Sequence, residues 1–341
     1  MFSVGLTHDF LAPDGRQVFD DIGLAVLEGD SRIRWEFLPP AETELAPEQV
    51  RGYDALIVLA PRVTARSLRE ANGLALIARF GVGYDSVDVD QCTAQGIALT
   101  ITPDGVRRPM ATSILLFVLA LSHQLPQKDR LVRDQRWGDK ASHVGTGLTG
   151  RTLGSLGLGN IAQETFRLVA PLEMRPLACD PYVSPARAAA LGIPLVDLPT
   201  LLRESDFVCL NVPLSGETYH LIGATELQLM KPTAYLINTA RGPIVDEAAL
   251  VDALRRGGLR GAALDTFEQE PTAPDNPLLA MDNVILAPHA IGWTDELFRN
   301  IGRSACRNVA RLAHGELPEH VVNRDVLTQP AFRRKVARWR R

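Results

Sequence analysis

The chain has 341 residues, a length that suggests about two domains. A hydrophobic fraction of 46% is ample for packed cores and excludes wholesale disorder. The net charge of −4, with both signs spread along the chain, argues against a surface built for nucleic acid. Cys92, Cys179, Cys209 and Cys306 show no C-x-x-C spacing; they read as reduced, buried small hydrophobes, and no metal site is expected. No basic segment precedes an apolar core at the N-terminus, so no signal peptide is expected. The longest apolar run, residues 114–121, is short for a bilayer span. The expectation is a soluble cytoplasmic protein without a membrane or nucleic-acid partner.

Up to about residue 103 the chain alternates strand and helix patterns. Strands are expected at 3–7, 33–38, 55–59, 74–80 and 97–101, and helices at 17–27, 65–71 and 87–95. That order predicts a parallel sheet with helices on its faces. Arg79-Phe80-Gly81-Val82-Gly83-Tyr84-Asp85 closes one strand with two glycines, at the carboxyl end where ligands gather in such sheets. A plain strand-to-helix turn would read the same way. Thr102-Pro103-Asp104-Gly105 reads as a turn and a domain crossing. A helix with Pro109 near its start then runs to about residue 123, and a second covers 126–135. A polar arm over 136–150 follows, with Trp137 exposed.

A second α/β series begins near residue 151. Strands are expected at 152–156, 176–180, 207–211, 234–238, 261–264 and 284–286, enough for a six-stranded doubly wound sheet. Helices are expected at 161–171, 198–203, 224–230 and 247–256, with a long one over 294–314. The basic tail over 333–341 is expected to be solvated or frayed, in preference to a nucleic-acid or membrane role.

The second series opens on a turn. Gly157-Leu158-Gly159-Asn160-Ile161-Ala162 fits G-x-G-x-x-G/A, which joins a strand to a helix in dinucleotide-binding units. Gly157 would permit the tight turn, Gly159 would let a pyrophosphate approach, and Ala162 would keep helix and strand close. The helix N-terminus offers unpaired N–H groups and a positive dipole end. Asp180 ends the next strand, about twenty residues on, where a carboxylate can accept from a ribose 2′-OH and repel a 2′-phosphate. The next basic residue is Arg187, so the three parts together favour NAD over NADP. Taken alone, Asp180 has a lesser reading as a solvated carboxylate at a strand end.

Three further residues stand just past predicted strands on the same rim: Arg241, Glu270 and His289. Their chemistry is complementary. Hydride addition to a 2-oxo group leaves negative charge on oxygen; a histidine suits the proton transfer. A nearby glutamate favours the imidazolium. Arginine presents a planar fork to the neighbouring carboxylate and steadies developing charge. Each alone could be ordinary: a surface ion-pair arginine, a loop acid, a satisfied histidine.

At this point the sequence resembles the D-isomer-specific 2-hydroxyacid dehydrogenase family, from about residue 55 to 323. The resemblance rests on Phe80 to Asp85, Gly157 to Ala162, Cys179 to Tyr182, Pro213 to Thr218, Met230 to Pro232, Ile237 to Gly242, Leu264 to Pro271 and Pro288-His289, in that order. It implies an α/β protein of two doubly wound parallel-sheet domains, an NAD-binding Rossmann domain (104–293) inserted into a flavodoxin-like substrate domain (1–103 and 294–330), with the basic tail (331–341) following. It implies Arg241, Glu270 and His289 as the catalytic trio, and a homodimer joined through the cofactor domain. Gly157, Gly159, Asn160, Ile161, Asp180, Val212, Pro213, Thr239, Ala240, Arg241, Asp265 and His289 would hold the NAD, with Asp265 on the nicotinamide carboxamide. Arg79, Val82, Gly83, Arg241 and His289 would meet a small 2-oxo or 2-hydroxy acid. Departures from the commonest pattern are Met110-Ala111-Thr112, Asn211 where a histidine is common, Arg107-Arg108-Pro109 and Trp293; they leave the substrate open. Two other readings share the fold: a nucleotide-sensing, corepressor-like binding protein, and a 3-phosphoglycerate dehydrogenase without a regulatory domain, with Arg79, Arg107 and Arg108 as phosphate ligands.

Overall fold

The computed structural model describes residues 1–340. It divides into two compact units, Met1–Pro109 with Trp293–Arg341, and Met110–Gly292.

The first unit holds a five-stranded sheet of β1 (Phe2–Leu6), β2 (Ile33–Phe37), β3 (Ala55–Val58), β4 (Leu76–Arg79) and β5 (Ala98–Thr100). All pairings are parallel, in the order β2-β1-β3-β4-β5. The order reverses between β1 and β3, the flavodoxin-like arrangement. The unbroken apolar run of β3 is buried throughout, as a parallel strand covered on both faces requires. Leu56, Val58, Ile77 and Leu99 pack one side, and the Asp295–Ala313 helix packs on β3 and β4.

The second unit holds β6 (Thr152–Leu156), β7 (Arg175–Cys179), β8 (Phe207–Leu210), β9 (Tyr235–Asn238), β10 (Gly261–Leu264) and β11 (Val284–Leu286). They form one parallel sheet in the order β11-β10-β9-β8-β6-β7. A single parallel bridge from Leu195 to Ala178 lies beyond β7. With that bridge counted as a vestigial third strand, the order is Rossmann-like, and it reverses between β6 and β8. Separate apolar clusters cover the two faces. One draws Leu201, Leu227 and Leu250 from three short helices. The other draws Ile114, Phe117 and Phe166 from the Pro103–His123 and Asn160–Val169 helices.

Pro103–His123 is long and apolar enough to cross a membrane by length and composition. Its Ile114, Phe117, Val118 and Leu121 are instead buried in the core of the second unit, which accounts for their apolarity.

Several elements differ from expectation. Of the helix expected over 17–27, only Ala25–Glu28 forms. Gly23 sits at φ 78 and packs on the Gly302-Arg303 backbone, where a Cβ would lie 2.4 Å from the Arg303 amide nitrogen. The helix expected over 65–71 is a single 3-10 turn, Ser67–Glu70. The turn expected at 102–105 is the start of a helix, because Pro103 occupies a first-turn position that needs no N–H. The chain passes between units inside that helix, after Pro109 rather than after residue 103. A short helix, Pro185–Ala190, capped by Ser184, was not expected.

The C-terminal tail is the clearest correction. Pro330–Ala337 is a helix with Phe332 and Val336 buried, and the Trp339 ring stands edge-on to Phe2 at 5.1 Å. Lys335 Nζ donates to the carbonyls of Leu74 and Gln95, and burial pushes its ammonium down to about 8. Basic composition hid an apolar face at i and i+4.

Asp206 shows how the second sheet is tied at its amino edge. Its side chain is 8% exposed, accepts from the Thr152 amide at 2.9 Å, and meets Lys231 Nζ at 3.1 Å and Arg151 at 3.4 Å. Burial pushes this carboxyl up, but the Thr152 and Lys231 bonds and the two cations outweigh it and hold it below the usual range. A depressed folded value means stability that is present above the unfolded value of about 3.9 and lost as pH falls through the lower one. Asp206→Ala is therefore expected to lower unfolding free energy by about 3 kcal/mol in urea titrations at pH 7. The gap should close as pH drops below about 4; a variant as stable as wild type at pH 7 would refute the assignment.

Candidate active site

The parallel register brings the carboxyl ends of the second sheet into line. Leu156 pairs with Cys179 and Leu210, Asn238 with Leu210 and Leu264, and Leu264 with Leu286. Every residue expected to bind cofactor, or to form the trio, follows one of these strands.

Gly157 leaves β6 at φ 92, and a Cβ there would lie 2.5 Å from the Asn211 carbonyl oxygen. Only glycine permits both the angle and the approach. The contact sits at the point where strand order reverses, between β6 and β8. Asn211, one of the departures, braces this turn: its Nδ2 donates to Ser155 Oγ at 2.9 Å, and Ser155 Oγ donates to the Gly157 carbonyl at 2.6 Å. Gly159 caps the Asn160–Val169 helix in extended conformation, and a Cβ on it would meet nothing within 4 Å. Ala162 is buried and holds the helix close to the sheet. Asp180 accepts from the Leu158 amide at 2.8 Å and the Tyr182 amide at 2.9 Å, which fixes its carboxylate beside the glycine turn. A strained glycine, open space over the helix N-terminus and an adjacent strand-end acid fit a dinucleotide.

The trio is built on β9, β10 and β11. Asn238 ends β9; its Oδ1 accepts from the Ala240 amide at 3.0 Å and its Nδ2 donates to the Arg241 carbonyl at 2.8 Å. This clamp shapes the Thr239-Ala240-Arg241 bend. Gly242 then lies flat on the next loop: a Cβ would fall 1.9 Å from the Phe267 carbonyl. Glu270 Oε1 accepts from the Phe267 amide at 2.9 Å, and its Oε2 stands 2.8 Å from His289 Nδ1. Burial pushes the Glu270 carboxyl up. The His289 bond, the Phe267 amide and the His289 and Arg241 charges outweigh that push and hold it below the usual glutamate range.

His289 has a left-handed backbone, φ 55, rare for a non-glycine residue and worth of order 1 kcal/mol of strain. Buried Asp265 holds it there, its Oδ1 accepting from the Ala290 and Ile291 amides at 2.9 and 3.0 Å. Burial pushes this carboxyl above the usual aspartate range, against those amides and the His289 charge. Met110, another departure, packs its sulfur where a Gly292 Cβ would be. The side chains of His289 and Glu270 are 45% and 37% exposed, open to a ligand. Val212, Pro213, Thr239 and Ala240 stand at the intervening strand ends of this rim.

Arg79, Val82 and Gly83 belong to the first unit, at the end of β4. Gly81 is at φ 137 and is pinned by Thr102, whose Oγ1 accepts from the Gly81 amide and whose own amide donates to the Gly81 carbonyl. Arg79 Nη1 donates to the carbonyls of Phe80 and Val58, so this guanidinium is engaged by its own backbone. Asn238, Gly242, Ser155 and Thr102 were not singled out in the sequence. The N-T-A-R-G string around Arg241 was the available signal for two of them.

This arrangement defines a class. The profile for "D-isomer specific 2-hydroxyacid dehydrogenase, NAD binding domain" matches residues 115–290, and the chain belongs to that family. It is a glyoxylate reductase-like oxidoreductase with an NAD(P)-binding domain. It is 38% identical to a glyoxylate reductase of Korarchaeum cryptofilum, over 86% of this chain and 90% of that one. A D-3-phosphoglycerate dehydrogenase of Archaeoglobus fulgidus is 38% identical over 81% of this chain but only 52% of its own length. A glyoxylate reductase structure from Paecilomyes thermophila superposes with a TM-score of 0.81 at 26% identity, covering 95% of this chain and 99% of that one.

The two glycines of the turn should separate experimentally. Gly159→Ala is expected to leave the melting temperature unchanged and weaken NADH binding by roughly tenfold in fluorescence titration. Gly157→Ala should destabilise the fold itself by about 2 kcal/mol. Equal NADH affinity in Gly159→Ala and wild type would remove the pyrophosphate from that site.

Proposed function

We propose that this protein is an NAD-dependent reductase that interconverts 2-oxo acids and D-2-hydroxy acids, with glyoxylate the first substrate to test. The observation that carries it is the 2.8 Å His289–Glu270 pair within the field of Arg241, on the rim that also bears the glycine turn. The glyoxylate reductases among its relatives support the substrate class.

Nδ1 of His289 faces Glu270, so its proton is directed to that carboxylate and Nε2 is the atom left for the substrate. In reduction Nε2–H protonates the carbonyl oxygen; in oxidation Nε2 takes the hydroxyl proton. Glu270 stays ionised across neutral pH and stabilises the charged ring. Arg241 holds the substrate carboxylate and steadies charge growing on the carbonyl oxygen. NADH, when bound, supplies the hydride. Asp180 accepts from the adenosine ribose and disfavours a 2′-phosphate, which supports NAD over NADP. Val82 and Gly83 offer backbone amides to the substrate carboxylate. A 3-phosphoglycerate dehydrogenase role has less support, since the D-3-phosphoglycerate dehydrogenase of Archaeoglobus fulgidus is matched over only 52% of its own length.

Four free thiols support a reducing compartment, and we place the enzyme in the cytoplasm. Leu116, Leu125, Val132, Trp137 and Val144 of the second unit are exposed large apolar residues within one stretch of chain. They support a homodimer through the cofactor domain.

NADH oxidation should follow addition of glyoxylate or a related 2-oxo acid, with a lower KM for NADH than for NADPH. His289→Ala should cut kcat by about 10²- to 10⁴-fold while the fold persists. Glu270→Gln should lower kcat for reduction by about tenfold with KM for NADH unchanged, because the negative partner facing His289 is gone. No turnover across a broad panel of 2-oxo acids would refute the reading, and NADPH preference would refute the role of Asp180. Light scattering should give a mass near twice that of the chain, reduced in Trp137→Asp; a monomer at micromolar concentration would refute the dimer.

A further inference from the structure

A second histidine–glutamate contact lies behind the first. His220 Nε2 stands 2.6 Å from Glu268 Oε1, two residues before Glu270 in the same loop. The two atoms touch without meeting the geometry of a directed hydrogen bond. At that distance two lone pairs would repel, which requires the proton on Nε2. The His220 ring is fixed from its other side by Tyr219, stacked at 4.1 Å and 14°. Its backbone is fixed too: the His220 amide donates to the Pro243 carbonyl at 2.8 Å, and the Ile222 amide to the Ile244 carbonyl at 3.0 Å.

His220 therefore touches two segments that must keep their spacing. Its amide is bonded to the segment that carries Arg241, two residues from that arginine. Its ring touches the loop that carries Glu270. The same loop meets a second acid: Glu268 Oε1 accepts from the Glu247 amide, and Glu247 Oε2 accepts from the Glu268 amide, both at 3.2 Å. This exchange brings two carboxylates together at the start of the Glu247–Arg255 helix. The His220 ring meets this pair at Glu268 Oε1.

We propose that His220 is a positioning residue for the reaction: through Glu268 it ties the Arg241 bend to the Glu270 loop and holds the arginine in register with the His289–Glu270 pair. The proposal rests on the reductase reading above. The Gly242 contact on Phe267 keeps the two segments apart at one fixed distance, and the His220–Glu268 contact keeps them from sliding. Glu268→Gln retains an oxygen for the Glu247 amide and changes only the group that meets the His220 ring.

The test compares His220→Gln, Glu268→Gln and the double variant. In each single variant kcat/KM for glyoxylate should fall about tenfold, shared between lower kcat and higher KM. KM for NADH and the melting temperature should stay at wild-type values. The double variant should lose no more than either single one, as expected of two ends of one contact. Hydrogen–deuterium exchange of the 265–270 amides should quicken in both singles, a readout that needs no turnover. Singles within twofold of wild type, losses that multiply in the double variant, or unchanged exchange would overturn the tether. A wild-type chain inactive on 2-oxo acids, with exchange quickened in the variants, would count against the reductase reading and leave the tether standing.

Discussion

The carboxylate of Asp265 is the constraint on which the candidate site depends. It is almost fully buried, and a buried carboxylate is costly unless its lone pairs are occupied. The two donors are the Ala290 and Ile291 amides, which directly follow the left-handed His289. The Asp265 amide in turn donates to the Asn238 carbonyl at the end of β9. One residue thus locks three strand ends and fixes the backbone from which the histidine projects. The cost of the strained φ and of the buried charge is met by the sheet beneath. That is the usual way a folded core supports an unfavourable conformation at a functional site.

Close backbone contact does the rest. Gly157 against Asn211 and Gly242 against Phe267 are approaches that no side chain would tolerate. The first sets the width of the crevice where strand order reverses, and the second sets the distance between the Arg241 bend and the Glu270 loop. The electrostatics follow from this geometry. Glu270 is drawn into the field of His289 and Arg241 strongly enough to overcome its own desolvation, so His289 faces a negative partner at neutral pH.

The parallel strands were legible because they are short apolar runs bounded by turn residues, and both sheets appear where those runs fall. The trio and the glycine turn were legible because each directly follows such a run. Elements lacking a strong periodic signal were not. The helix expected at 17–27 fails because Gly23 must pass close to the Asp295–Ala313 helix, a contact some 280 residues away in sequence (a distance no local pattern encodes). The tail's five arginines among 333–341 masked the burial of Phe332 and Val336, and Lys335 between them is held by the Leu74 and Gln95 carbonyls, far away in sequence. The unit boundary was misplaced because a proline suits the first turn of a helix as well as it suits a loop.

By itself, the sequence determined that this is a two-unit α/β protein with a dinucleotide turn, a strand-end acid, and an arginine, a glutamate and a histidine placed after later strands. Periodicity, glycine spacing and residue chemistry are local, and they survive without coordinates. Tertiary structure alone decided what each of those residues touches. It made Asp265 the anchor of His289 and Asn211 the brace of the glycine turn, and it set His220 against Glu268. Those pairings join segments tens of residues apart through the register of a parallel sheet, and register is settled only when whole strands pack.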